Sequence, residues 1–217
     1  MSDVVTIKFK PKQVTKRLLG VLSDRGRDII TKRYGLDDSG KRLTLEGIGK
    51  KYGITRERVR QIENHSITNI RKSKEYAKEK PAFDQLKAYI TSLGGIVAEA
   101  DVMNHVSRDK SVQNHVHFML VIGEEFTKEK EDEDFKHRWY VDKDLANKIH
   151  GSLKKLYSNL SDDELVLESD MIESFLEYVK DVSDDYKNEE VTKRWLSLSK
   201  RIGKNPLGEW GKTNSAN

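Results

Sequence analysis

The stretch Leu43–Glu63, LTLEGIGKKYGITRERVRQIE, constrains this chain more than any other, because its residues fall at the offsets of two helices joined by one tight reversal. Leu45, Ile48 and Tyr52 recur at the i, i+3, i+7 spacing of a single apolar face, which predicts a helix over about Leu45–Tyr52. Gly49 lies among them where another segment must come close, and Gly53 stands at the reversal, where glycine enters the left-handed region without a side-chain clash. Ile54 plugs the turn. Thr55 is placed to cap a second helix, with Glu57 in its first turn where the helix dipole favours negative charge. Val59 and Ile62 face the first helix.

That arrangement leaves Arg56, Glu57, Arg60 and Gln61 pointing away from the core at the N-terminal end of the second helix, the end that a helix-turn-helix inserts into the major groove. The residue types suit base edges: arginine pairs bidentately with guanine, glutamine with adenine, and glutamate accepts from the cytosine amino group. Arg58 and Lys50 flank them and suit phosphate. A merely solvated charged face would account for the arginines, but not for a small residue, a turn glycine and apolar positions at helix-turn-helix offsets.

Leu43–Glu63, with LSDRGRDIITKRYGL from Leu22 to Leu36 before it, closely resembles region 4 of the sigma-70 family of bacterial RNA polymerase initiation factors. The resemblance covers about Lys12–Lys74 and is carried by the specific motif TRERVRQIE. It implies reading of the upstream promoter hexamer, the −35 element, and docking on the flap of the polymerase β subunit. It carries base contact onto Arg56, Glu57, Arg60 and Gln61, and backbone contact onto Thr55 and Arg58. Only the short leader MSDVVTIKFK precedes the region-4-like part, so the chain is not expected to be a complete initiation factor by itself. Gly26 stands where the family usually carries glutamate, and glycine inside a helix costs about 1 kcal/mol relative to alanine.

Charge separates this part from the remainder of the chain. Met1–Lys80 holds 21 Lys and Arg against 10 Asp and Glu, whereas Pro81–Asn217 holds 19 against 26. The basic part suits nucleic acid, since phosphate neutralisation supplies much of such affinity. The acidic part would be repelled by DNA and suits protein contact, a second copy of the chain included. With 35% hydrophobic and 35% charged residues in 217, several small domains are expected rather than one large core.

The predicted division is a helix-turn-helix domain over 1–76, a winged-helix-like unit over 81–141, a further helical unit over 142–211 with a second winged-helix-like unit as its alternative, and a disordered tail over 212–217. The expected fold class is mainly α. Within 81–141, Phe83, Leu86, Ile90 and Leu93 predict a helix that stops at Gly94-Gly95. A second helix is expected over about Val97–Val106, a third over Ser111–Gly123, and a hairpin in FTKEKEDEDFKHRWYV around an acidic tip, Glu129–Asp134. The outline is similar to the winged-helix domain of the delta subunit of some bacterial polymerases; its acidic tip favours protein over phosphate. In 142–211 three apolar stripes are expected on helices: Leu145, Ile149, Leu153 and Leu156; Met171, Ile172, Phe175, Leu176 and Val179; Val191, Trp195, Leu198 and Ile202. Lys193, Arg194, Lys200 and Arg201 form a basic cluster on the third.

Catalysis finds little footing. His115 and His117 would lie on different helix faces, so no shared metal is expected, and there is neither a phosphate-cradling GxxxxGK[ST] loop nor HExxH. No cofactor, metal or enzymatic role is expected. Absence of cysteine removes disulfides and cysteine-held metals, no apolar run approaches a membrane span, and the N-terminus has no apolar signal core. The cytoplasm, at the nucleoid, is the expected place, with double-stranded promoter DNA and RNA polymerase as partners. A polymerase-associated adaptor that docks on the flap, with DNA contact secondary, is the alternative. Single-stranded RNA ranks below both, because Phe9, Tyr34, Tyr52 and Tyr76 offer few exposed stacking rings.

Overall fold

A computed structural model describes residues 6–213. The chain is mainly helical, with eleven α-helices and two small antiparallel sheets among the described residues. It divides into two compact units, one built from Ile7–Leu86 with Met103–Phe126, the other from Lys87–Val102 with Thr127 onward.

The first unit holds α1 (Pro11–Leu19), α2 (Asp24–Tyr34), α3 (Leu45–Tyr52), α4 (Arg56–Arg71), α5 (Lys74–Lys78) and α8 (Lys110–Ile122). Helix starts are written in the sequence: Ser23, Thr44, Thr55 and Ser73 each accept a backbone N–H with their side chain at the first turn of α2, α3, α4 and α5. α2 and α3 end on left-handed glycines, Gly35 and Gly53. The expected helix over Leu45–Tyr52 is present with those bounds.

This division departs from the boundary expected near Pro81, and α8 is the reason. Nine of its thirteen residues are buried, including Val116, Phe118, Met119, Leu120 and Ile122. Such a helix cannot sit at a surface. It packs on α1, α2 and α4: His115 Nδ1 and Thr15 Oγ1 share a buried hydrogen bond of 2.5 Å, and the Phe118 ring lies 4.9 Å from that of Tyr34. Asn114 Nδ2 donates to the carbonyls of Gly35 and Gly40 at 3.0 and 2.8 Å.

α6 (Lys80–Ser92) and α7 (Glu99–Val106) each contribute residues to both units. In the second unit, β1 (Ile96–Ala98), β2 (Thr127–Glu129) and β3 (Arg138–Tyr140) form a sheet in the order β1-β3-β2, with Val97 and Lys128 both opposite Trp139. The element order α6-β1-α7-α8-β2-β3 adds a first strand to the expected three helices and hairpin. The helix expected from Val97 instead starts at Glu99, because Ile96–Ala98 pairs with a strand some forty residues away and three residues are too few to show alternation.

α9 (Lys143–Asn159), α10 (Glu168–Tyr178) and α11 (Glu189–Ser197) come next, then β4 (Ile202–Lys204) and β5 (Trp210–Lys212). Ile149, Leu153, Leu156, Met171, Phe175, Val179, Val191 and Trp195 bury together as their stripes require. Ile202 does not continue α11: the helix ends at Ser197 and Ile202 opens β4, paired with Lys212. Lys212, expected to begin the tail, closes β5, and Thr213 Oγ1 donates to the Lys200 carbonyl at 2.6 Å. The remainder of the expected tail, 214–217, lies outside the described residues.

Candidate nucleic-acid interface

The turn between α3 and α4 is set by two glycines for two different reasons. A Cβ on Gly49 would stand 2.7 Å from the Ile54 carbonyl oxygen and 3.4 Å from the Arg56 nitrogen, so backbone crosses directly over it. Gly53 has nothing within 4 Å of such a Cβ and is required by its φ of +63° alone. Ile54 N–H then donates to the Gly49 carbonyl at 3.0 Å. Thr55 Oγ1 accepts from the Arg58 N–H at 3.1 Å and fixes where α4 begins. Below the turn, Ile29 of α2, Ile48 and Val59 are fully buried, ringed by Leu43, Leu45, Tyr52, Ile54 and Ile62.

With that face spent on the core, Lys50, Thr55, Arg56, Glu57, Arg58, Arg60 and Gln61 are all exposed. They are not independent of one another. Glu57 grips the Arg60 guanidinium bidentately, accepting from Nε at 2.9 Å and from Nη2 at 2.6 Å. Arg60's hydrogen bond holds the Glu57 carboxyl below its ordinary range, helped by the charge of Arg56. Arg58 Nη1 donates to Gln61 Oε1 at 3.1 Å, and Lys50 Nζ lies 3.0 Å from Glu46. These pairs are exposed and therefore cheap to exchange for base or phosphate partners. They also hold the arginine forks in defined directions.

Sequence reading missed the layer that holds α4 in place. Glu63, only 8% exposed, accepts from the Tyr34 hydroxyl at 2.7 Å and lies 3.4 Å from Arg33 Nε. Burial, then the Glu63 charge, pushes the Tyr34 hydroxyl's pKa well up, so it stays a donor. Nothing in local periodicity signals this pair, which joins positions 29 residues apart. Arg71, at the far end of α4, donates to the carbonyls of Ile122 and Val121 at 2.9 and 3.1 Å, tying α4 to the end of α8. Gly26 also finds a local cause: a Cβ there would sit 3.1 Å from Ser66 Oγ and 3.2 Å from Ser23 Oγ, where α2 meets α4.

The other sequence candidates do not gather into a site. Lys193 pairs with Glu189 and Glu168, Lys200 with Glu131, and Arg201 with Asp134, while Arg194 is buried. That cluster is thus neutralised within its own unit. At the acidic tip, Glu129 and Asp132 turn inward onto the buried Arg138 at 2.6 and 3.0 Å. His115 and His117 are both buried; desolvation lowers the His115 pKa. Among the described residues no three His, Cys, Asp or Glu side chains are grouped to hold a metal, and no helix is long and apolar enough to cross a membrane.

Charge follows the compact units much as it follows the two parts of the sequence. The first unit carries 23 Lys and Arg against 13 Asp and Glu, and the rest of the chain 17 against 23. Residues 18–72, which contain the whole of α2, α3 and α4 with the turn between the last two, match the family described as Sigma-70, region 4. Similar curated proteins include the RNA polymerase principal sigma factor HrdD of Streptomyces griseus, 47% identical over 55 residues. The proteins of that name from Streptomyces viridifaciens and Streptomyces coelicolor are 49% identical over the same length. Each match covers 25% of this chain and 16% of the relative. The likeness is therefore to one segment of those factors, and it ends before α5.

Proposed function

We propose that the first unit reads promoter-type duplex DNA through the N-terminal end of α4 and works in transcription initiation, or its regulation, with RNA polymerase. One observation carries this reading: Arg56, Glu57, Arg60 and Gln61 are exposed together on the capped end of a helix whose opposite face is locked into a basic unit. Base edges fall to those four, with Glu57 and Arg60 exchanging their mutual ion pair for a cytosine amino group and a guanine. Thr55, Arg58 and Lys50 meet phosphates. The region-4 likeness supports duplex DNA as the target, and the relatives' name, RNA polymerase principal sigma factor, supports the link to polymerase. No catalytic step is assigned to the chain, and the bacterial cytoplasm is where such a reader would act.

A single helix-turn-helix reads about half a site, so a second anchor is needed for specific affinity. Polymerase, through its β flap, supplies that anchor in this reading. The acidic second unit favours protein over DNA as what it meets, and it supports a second reading in which the chain is chiefly a polymerase-bound adaptor.

Selection of duplexes from a random DNA pool by the whole chain, beside an Arg56→Ala, Arg60→Ala, Gln61→Ala triple variant, separates the two. Enrichment of one hexamer that the triple variant no longer selects is the expected result. Uniform, salt-sensitive retention by both proteins would refute base reading and leave the adaptor.

A further inference from the structure

The second unit contains one pattern twice. In the first sheet Val97 lies opposite Trp139, the Trp139 indole donates to Glu99 at 2.7 Å, and Lys128, also opposite Trp139, pairs with Glu99 at 2.7 Å. Farther along, Val166 lies opposite Trp210, the Trp210 indole donates to Glu168 at 3.1 Å, and Lys204, opposite Trp210, pairs with Glu168 at 2.6 Å. Both carboxylates stand two residues after the valine and open the next helix, α7 or α10. The order α9, Val166, α10, α11, β4, β5 thus repeats α6, β1, α7, α8, β2, β3, and in each sheet the last strand is central. Ile96 and Ala98 correspond to Leu165 and Leu167.

Side chains alternate along a strand, so these four face away from the valine and tryptophan side of their sheets. On the first sheet that outer face is sealed. Ile96 and Ala98 are 0% and 3% exposed, buried with Ala146 and Ile149 of α9 and with Val191 and Trp195 of α11. Trp195 donates its indole N–H to the Gly94 carbonyl at 3.0 Å, and the bare Gly94 lets Val191 and Trp195 approach. On the second sheet the equivalent positions stay open to solvent: Leu165 is 41% and Leu167 61% exposed. With Leu207, 85% exposed in the β4–β5 turn, they are the exposed large apolar side chains of the described chain. Asp163, Glu164 and Asp170 stand exposed along the same stretch.

We infer that Leu165 and Leu167 form a docking surface for a basic amphipathic helix of a partner protein, received as β1 receives α11. The occupant's apolar i, i+4 pair fills the place of Val191 and Trp195, and its cations meet the acidic border. This surface is independent of DNA reading by α4.

The test uses the whole ¹⁵N-labelled chain and a peptide of Asn188–Leu198 carrying Glu189→Lys and Glu190→Lys. Amide shifts confined to Leu165–Leu167 and Asn205–Trp210 are expected. Affinity should fall tenfold or more in a Leu165→Ser, Leu167→Ser variant, and for the unaltered peptide, whose side-chain charges cancel. Unchanged tryptophan fluorescence and thermal melting in that variant show that it is folded. No shifts at about 2 mM peptide, or shifts that persist in the double variant, would overturn the proposal. So would sedimentation showing a dimer that the double variant loses, since the occupant would then be a second copy.

Discussion

Tyr34→Phe isolates the buried contact that holds α4. The Tyr34 ring packs against Phe118 and loses little by the change, but the Glu63 carboxylate loses its 2.7 Å donor while staying only 8% exposed. Water cannot freely replace the donor there. A buried acceptor left without its partner costs roughly 1–3 kcal/mol, toward the upper part of that range for a charged one. Arg33, at 3.4 Å and half-buried, remains and recovers part of it, so about 2 kcal/mol is expected. Tyr178→Phe is the control: its hydroxyl bonds Asn159 at 2.6 Å at an exposed site, and the loss should stay within about 0.5 kcal/mol. Tryptophan fluorescence would miss the effect, because Trp139, Trp195 and Trp210 all lie in the second unit. Amide hydrogen exchange along α4 at Ile62–Ser66 is the proper readout. Equal protection in Tyr34→Phe and Tyr178→Phe would refute the idea that Glu63 and Tyr34 fix α4.

Gly49→Ala and Gly47→Ala set helix propensity against geometry within α3. Alanine gains about 1 kcal/mol of propensity at either position, but the Gly49 Cβ would strike the Ile54 carbonyl whereas that of Gly47 meets only the Thr44 hydroxyl, at 3.2 Å. Urea unfolding by circular dichroism should show Gly49→Ala less stable than wild type and Gly47→Ala equal or better; the reverse order would contradict the crossing of backbone over Gly49. Glu168 is held down to about 2 by Lys204 and Lys193, so its stabilising contribution is complete above the ordinary carboxylate pKa near 4.5 and is lost as pH falls from there through about 2. Tryptophan-monitored unfolding should show that acid loss in wild type and a flatter profile over the same window in Glu168→Gln. On the preferred duplex Arg60→Ala should weaken binding roughly 10- to 100-fold and relax one base position, while Lys50→Ala should weaken all sequences alike and reduce the slope of log K against log salt by about 0.9. Identical behaviour of the two variants in fluorescence anisotropy would remove the distinction between base and phosphate contacts.

What could be read beforehand was whatever the backbone demands locally. Gly53 needs a left-handed conformation, Thr55 a first-turn N–H, and Ile48 and Val59 a shared face, and each leaves its mark within a few residues. The outward set from Arg56 to Gln61 is then obtained by subtraction. Contacts made across long separations left no such mark: Glu63 reads as one more surface charge until Tyr34 meets it, and Val97 and Ala98 read as helix until they pair with Trp139 and Arg138. Composition also misled where charges pair internally. Lys193, Lys200 and Arg201 look like a basic face in a line of text, but each is met by a carboxylate from elsewhere in its unit. The compact units cut across the division expected near Pro81 for a related reason, since α8 packs its apolar surface on α1, α2 and α4.

That burial of α8 gives the chain a history as it leaves the ribosome. Helices α1 to α4 emerge before α8, yet Thr15 and Tyr34 await their partners His115 and Phe118 on that helix. Until then the exposed face of α4 exists without its backing, and a chain stopped at Leu86 would present apolar surface to chaperones and proteases. The first unit is thus complete only once α8 has closed it, and whatever its exposed face binds must wait for that helix.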